Sequence, residues 1–98
     1  MGKARAAELS IPVLADLLAT YKSMMATITT SKLARAARLK KGVDLPTEPV
    51  YRILIHYLLT ERAREIVDSC GRPWRLIHVE KGRDNHSSYR FVYVREGG

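Results

Sequence analysis

Residues 28–59, ITTSKLARAARLKKGVDLPTEPVYRILIHYLL, decide how the rest of the chain is read. They describe two helices joined by a turn, the first carrying cations and the second an apolar spine. Thr29, Thr30 and Ser31 offer hydroxyls that can cap the first helix, since a side-chain oxygen there accepts from an otherwise unpaired backbone N–H. Leu33, Ala36 and Ala37 recur at three- and four-residue spacing, while Lys32, Arg35 and Arg38 project elsewhere. The segment Lys41-Gly42-Val43-Asp44-Leu45-Pro46 supplies the Gly and Pro that end one helix and prepare the next. Thr47 is the expected N-cap of the second helix, so Pro49 falls in the first turn, where a missing N–H costs nothing. Val50, Ile53, Leu54, Tyr57 and Leu58 follow at helical spacing and are expected to fill a core, with Ile55 and Leu59 off the main stripe.

Upstream, Met1–Glu8 is basic and Ala-rich, a segment that frays or extends the first helix backward. Ser10 reads as an N-cap with Pro12 in the first turn, and Val13, Leu14, Leu17, Leu18 and Tyr21 form one apolar stripe, ending near Met24. Met25–Thr29 is short and β-branched, a strand or a simple loop. Downstream, the third helix has two possible ends. One stops near Arg62 and makes Glu65–Ser69 a strand; the other runs to Asp68. Local propensity favours the longer helix, because Glu61-Arg62-Ala63-Arg64-Glu65 are all good helix formers and Cys70-Gly71-Arg72-Pro73 is the first firm stop. Trp74–Glu80 and Ser88–Arg95 then read as a hairpin, joined by the polar, turn-rich segment 81–87. Strict alternation places Trp74, Leu76 and His78 on one face and Ile77 and Val79 on the other. Both faces are apolar, so neither is simply wet.

The phrases TSKLARA (30–36) and TEPVYRILIHYL (47–58) resemble the second and third helices of winged helix-turn-helix DNA-binding domains. The likeness covers about a third of the chain directly, and the order of the remaining elements agrees with it. It implies a single α+β, mainly helical domain over 1–98, with a three-helix core followed by a C-terminal β-hairpin wing. It also implies a brief first strand at 25–29, a recognition helix over 46–62 in the major groove, and a wing at 81–87. On that likeness Thr47, Glu48, Tyr51 and Arg52 lie on the exposed N-terminal part of the recognition helix, Thr47 within reach of a phosphate, and Lys81 and Arg83 stand at the wing tip. Lys32, Arg35, Arg38, Lys40 and Lys41 would track the phosphates. One departure from the family is the turn from Lys40 to Pro46, which is longer than usual.

Composition fits a nucleic-acid partner. The 98 residues carry a net charge of +7 and are 46% hydrophobic, enough for one modest core and too much for a disordered tail. Residues 1–44 hold eight Lys/Arg against three acids, residues 45–70 three against four, and residues 71–98 six against three. The basic surplus therefore flanks the apolar third helix, where a polyanion would be met. No run of about 18 apolar residues and no leader pattern occurs, so the expected location is cytoplasmic and nucleoid-associated, with no membrane partner. A lone cysteine, Cys70, agrees with a reducing compartment, and the absence of Gln beside many Arg is compatible with a thermophilic source.

Catalysis has little to stand on. Cys70, His56, His78 and His86 are the only nucleophile, base or soft-metal candidates beyond common hydroxyls and carboxylates, and one thiol does not make a paired-ligand zinc site. His56 reads as a packing residue and Cys70 as a small residue at a helix end. No phosphate loop or serine elbow occurs. No enzyme activity, cofactor or metal is expected. The leading expectation is a double-stranded DNA-binding protein, a small transcriptional regulator or chromatin-associated factor, acting as a homodimer. In base reading Arg52 suits guanine and Glu48 suits cytosine, although the two also suit an i,i+4 ion pair on a wet face. A second reading is a protein–protein module, supported by apolar surplus on the third helix and the hairpin. A third is RNA, with Tyr89, Phe91 and Tyr93 as a stacking face.

Overall fold

The computed structural model describes residues 7–42, 44–82 and 89–96. In chain order these form α1 (Ser10–Ala19), β1 (Met25–Thr29), α2 (Thr30–Lys41), α3 (Glu48–Glu61), β2 (Glu65–Val67), β3 (Pro73–Glu80) and β4 (Arg90–Arg95). Among the described residues the fold is therefore α+β: three helices and one antiparallel sheet in the order β1-β4-β3-β2. The helices lie against one face of the sheet. Ala26, Ile28, Trp74, Leu76, Phe91 and Tyr93 meet Val13, Leu14, Leu18, Leu33, Ile55 and Leu59 in a single buried cluster.

Local chemistry sets several boundaries as expected. Thr29 caps α2, its Oγ1 accepting from the Lys32 amide at 3.0 Å. Gly42 closes that helix in the left-handed conformation, φ 61°, with its N–H donating to the Arg38 carbonyl; a side chain there would be strained. Thr47 holds the N-cap position of α3 and Pro49 its first turn, although the Thr47 side chain makes no capping bond. Met25–Thr29 is a strand, paired along its length with β4 from Met25↔Val94 to Thr29↔Arg90.

Four expectations are corrected. First, α1 ends at Ala19 rather than near Met24, and Ser10 is not its cap. Ser10 is fully buried, and its Oγ lies 2.7 Å from the Tyr51 hydroxyl on α3. Second, α3 buries Tyr51, Ile55, Leu58 and Leu59, while Ile53 is 66% exposed and Tyr57 58%. The inward face is thus rotated from the expected one, because a helix apolar almost all round carries no periodic signal to choose its face.

Third, of the two endings read for α3 the shorter one holds against local propensity: the helix stops at Glu61 with Arg62 as C-cap, and Glu65–Val67 is strand β2, paired with β3 through Ile66↔Trp74. Tertiary pairing outweighs helix propensity here. Ala63 is buried, and its carbonyl accepts from the Tyr93 hydroxyl at 2.8 Å, which fixes the chain as it leaves the helix. Cys70 consequently sits exposed in the β2–β3 turn rather than at a helix end. Fourth, a bulge between Leu76 and His78 shifts the register of β3 on β4. His78 then pairs with Val92 and is exposed, and Val79 pairs with Phe91 and packs toward the core, the reverse of strict alternation.

The β2–β3 turn is anchored by one buried carboxylate. Asp68 Oδ1 accepts from the amides of Cys70 at 2.8 Å and Arg72 at 3.0 Å; Oδ2 accepts from the Trp74 indole at 2.8 Å and from Arg72 Nε at 3.0 Å. Arg72 also donates from Nη2 to the Ala19 carbonyl at 2.9 Å, tying the turn to the end of α1. Burial raises the cost of ionising Asp68, but hydrogen bonds from Trp74, Arg72 and Cys70 outweigh it and hold the carboxyl down at about 2.

A folded-state value below the ordinary 3.8 means that this contribution is complete above about pH 4 and is lost as pH falls toward 2. The loss should reach about 2 kcal/mol between about pH 5 and pH 2, read from urea midpoints by circular dichroism. Asp68→Asn should flatten that part of the profile while lowering stability at neutral pH.

Candidate nucleic-acid interface

The cations of α2 divide by position and by partner. Ser31, Arg35 and Arg38 follow at spacings of four and three, so they share one face of the helix. That face adjoins the start of α3, since Ser31 Oγ donates to Glu48 Oε1 at 3.4 Å and the Arg38 charge acts on the Tyr51 phenol. Arg35 and Arg38 are exposed and have no ion-pair partner among the described residues; the same holds for Lys41. Lys32 and Lys40 are committed in part to α1 and the segment after it. Lys32 Nζ donates to the Tyr21 hydroxyl at 3.0 Å and lies 5.1 Å from that ring centroid, and Lys40 Nζ stands 3.9 Å from Asp16. Arg38, Lys40 and Lys41 also occupy the last turn of α2, where the helix dipole favours cations without any ligand. Thr29, Ser31, Lys32 and Arg35 line a shallow depression of about 380 Å³.

On α3 the expected base readers separate. Thr47 and Glu48 are exposed at the helix start and Arg52 is half-buried. Glu48 is engaged with Ser31 rather than standing alone. Tyr51 does not face outward: it is 1% exposed and bonded to Ser10. Burial pushes its phenol up to about 12, with the Ser10 hydrogen bond and the Arg38 charge acting the other way. A neutral, enclosed phenol is a packing group between α1 and α3, and Tyr51 is removed from the candidate surface. Sequence spacing could not separate it from Arg52 because both fall off the expected apolar stripe of Val50, Ile53, Leu54, Tyr57 and Leu58.

The segment expected as a wing, 81–87, is described only at Lys81 and Gly82. Lys81 is exposed just beyond β3, and Arg83 lies outside the described residues, as does His86. The stacking face expected for RNA is corrected. Phe91 and Tyr93 are fully buried, and burial raises the Tyr93 phenol, whose hydroxyl donates to the Ala63 carbonyl. Tyr89 is half-buried and packs on His56 at 4.7 Å between ring centroids, which makes His56 a packing residue as its position on α3 suggested.

The residues missed by sequence reasoning are Ile53 and Tyr57, one turn apart on the exposed side of α3, because they were assigned to the core. No helix among the described residues is long and apolar enough to cross a membrane, and none of their His, Cys, Asp and Glu side chains gather in threes as metal ligands would. Compared with protein-family models, curated proteins and solved structures, the chain matches none.

If Tyr51 is a packing residue, Ser10→Ala strands a buried hydroxyl without touching the surface. It should cost about 1–3 kcal/mol in urea unfolding. The affinity of the folded protein for a DNA duplex should stay unchanged in an anisotropy titration.

Proposed function

We propose that the chain is a winged helix-turn-helix domain that binds double-stranded DNA, as a small transcriptional regulator or chromatin-associated factor. The observation that carries this reading is the Arg35–Arg38 face of α2, where neither cation has an ion-pair partner among the described residues, set beside the exposed start of α3. Phosphate contact needs mobile cations and an approachable helix N-terminus, and both occur here on adjoining elements. Arg35, Arg38 and Lys41 grip backbone phosphates, Thr47 offers an uncommitted hydroxyl at the helix start, and Arg52 and Glu48 lie nearest the base edges. Lys81, exposed just beyond β3, adds a further cation to the described surface. The order helix, strand, helix, helix and then a hairpin supports the winged-helix reading, to which this chain adds the short strand β2, and a cytoplasmic, nucleoid-associated location accords with that reading.

A protein partner is the second reading, favoured by a specific observation. Ile53 and Tyr57 on α3, and Met25 and Val67 on the outer side of the sheet, remain more than half exposed. Surface of this kind suits a homodimer or a larger assembly. A monomer in light scattering over a wide concentration range would remove that reading. RNA is the weaker alternative once Phe91 and Tyr93 are enclosed.

With about six phosphates neutralised, log affinity for a duplex should fall against log salt with a slope near −5. Replacing Arg35 and Arg38 together by Ala should weaken binding across all sequences and bring the slope about 2 closer to zero. A flat salt dependence would remove the DNA reading.

A further inference from the structure

We infer that the open edge of β3 takes up an extended peptide as an added strand, the peptide carrying an acidic side chain at its carboxyl end. Strand β2 pairs only with residues 73–75, and one further bond, from the Leu76 amide to the Arg64 carbonyl at 2.6 Å, ends that ladder. Beyond it, residues 77–80 have β4 on one side and no strand on the other among the described residues. The register fixes where their backbone groups point. The Thr30 amide donates to Tyr89 and the Arg95 amide to Met24, so odd-numbered residues of β4 turn to β1 and even-numbered ones to β3. Arg90 and Val92 therefore bond to Glu80 and His78, which leaves the Val79 N–H and C=O directed at the open side. The free edge of β1 is different: its outward carbonyls, of Met25 and Thr27, accept from the Ser23 and Tyr21 hydroxyls.

Space and charge beside the β3 edge fit the same occupant. A depression of about 270 Å³ lies there, lined by His56 and Thr60 of α3, by Arg64, and by Ile77, His78 and Val79 of β3. A strand continuing the line of β2 runs antiparallel to β3 and finishes against Arg64, which sets the carboxyl end of the peptide there. Arg64 is exposed with no ion-pair partner among the described residues, and no carboxylate lines the depression. Glu61 and Glu65 line a neighbouring depression with Arg62 and Arg75, so one acid is accommodated and a run of them is not. Main-chain bonds to the edge give affinity and the cation gives selectivity. A nucleic acid has no backbone amide with which to complete the edge. The site uses none of Arg35, Arg38 and Lys41, so duplex binding stands or falls separately.

The probe is the acetylated, amidated hexapeptide Val-Thr-Val-Thr-Val-Glu, titrated into the isotope-labelled full chain and followed by NMR. Amide shifts should centre on Arg64 and residues 76–80. Replacing the peptide's Glu by Gln should weaken binding about threefold. Val79→Pro removes the outward N–H at a position where an open strand edge tolerates proline, and it should abolish binding. If circular dichroism shows that variant unfolded, the wild type is titrated with the peptide N-methylated on alternate amides, in each of the two registers. One register should then fail to bind. No binding of the hexapeptide, binding that survives these blocks, or shifts centred elsewhere overturns the inference. Shifts at the same residues from self-association or from a short single-stranded DNA, with none from the peptide, identify another occupant and overturn it too.

Discussion

The Asp68 carboxylate is where the sheet and the helices are fastened together. A buried carboxylate is costly in isolation, and this one survives because two amides, an indole and a guanidinium converge on it. Those donors come from its own turn and from the first residues of β3. Arg72 then reaches the carboxyl end of α1, and Ser69 adds a hydroxyl to Asp16 and an amide to the Ala15 carbonyl. The short strand β2 has only three residues to hold it to β3, so the turn supplies much of what keeps the two strands in register. Trp74, the largest fully buried side chain, is oriented by the same oxygen. Loss of this cluster would loosen the sheet edge, the Trp74 packing and the end of α1 together.

How far this was legible from sequence depended on whether the deciding force was local. The Thr29 cap, the Gly42 terminus, Pro49 in the first turn of α3 and the hairpin strands follow from nearby residues, and they stand where the sequence places them. The Asp68 cluster was hidden, because a single acid six residues before a tryptophan has no spacing rule behind it. The end of α3 stays between two readings for a related reason. Glu61 to Glu65 favour helix locally, but Ile66 gains a strand partner in Trp74 and Ala63 gains burial. The β3 bulge likewise depends on how two strands meet, which neither strand encodes alone.

The candidate surface was legible in its charge and not in its orientation. Arg35 and Arg38 lie outward because Leu33 and Ala37 turn inward as expected, with Ala34 buried and the expected Ala36 only half-buried. On α3 the apolar residues nearly encircle the helix, so the choice between Ile53 and Ile55 as core was made by the packing of α1 and the sheet. The Ser10–Tyr51 hydrogen bond is the clearest mark of that choice. It gives a buried phenol its partner only when this side of α3 turns inward, which ties the face presented to solvent to a serine on another helix.

The strand order carries a consequence for how the chain comes together. β4, the last strand in sequence, lies in the middle of the sheet, between β1 and β3. Among the described residues β1 has no other strand neighbour, so Ala26 must wait for Tyr93 before its ladder can form. Closing so long a loop is entropically expensive before the contacts it enables are made. The pairing of β1 with β4 is thus the longest-range strand contact in the sheet. Truncating the chain ahead of Arg90 would not trim an edge but divide the sheet, separating β1 from β3 and opening the core between them.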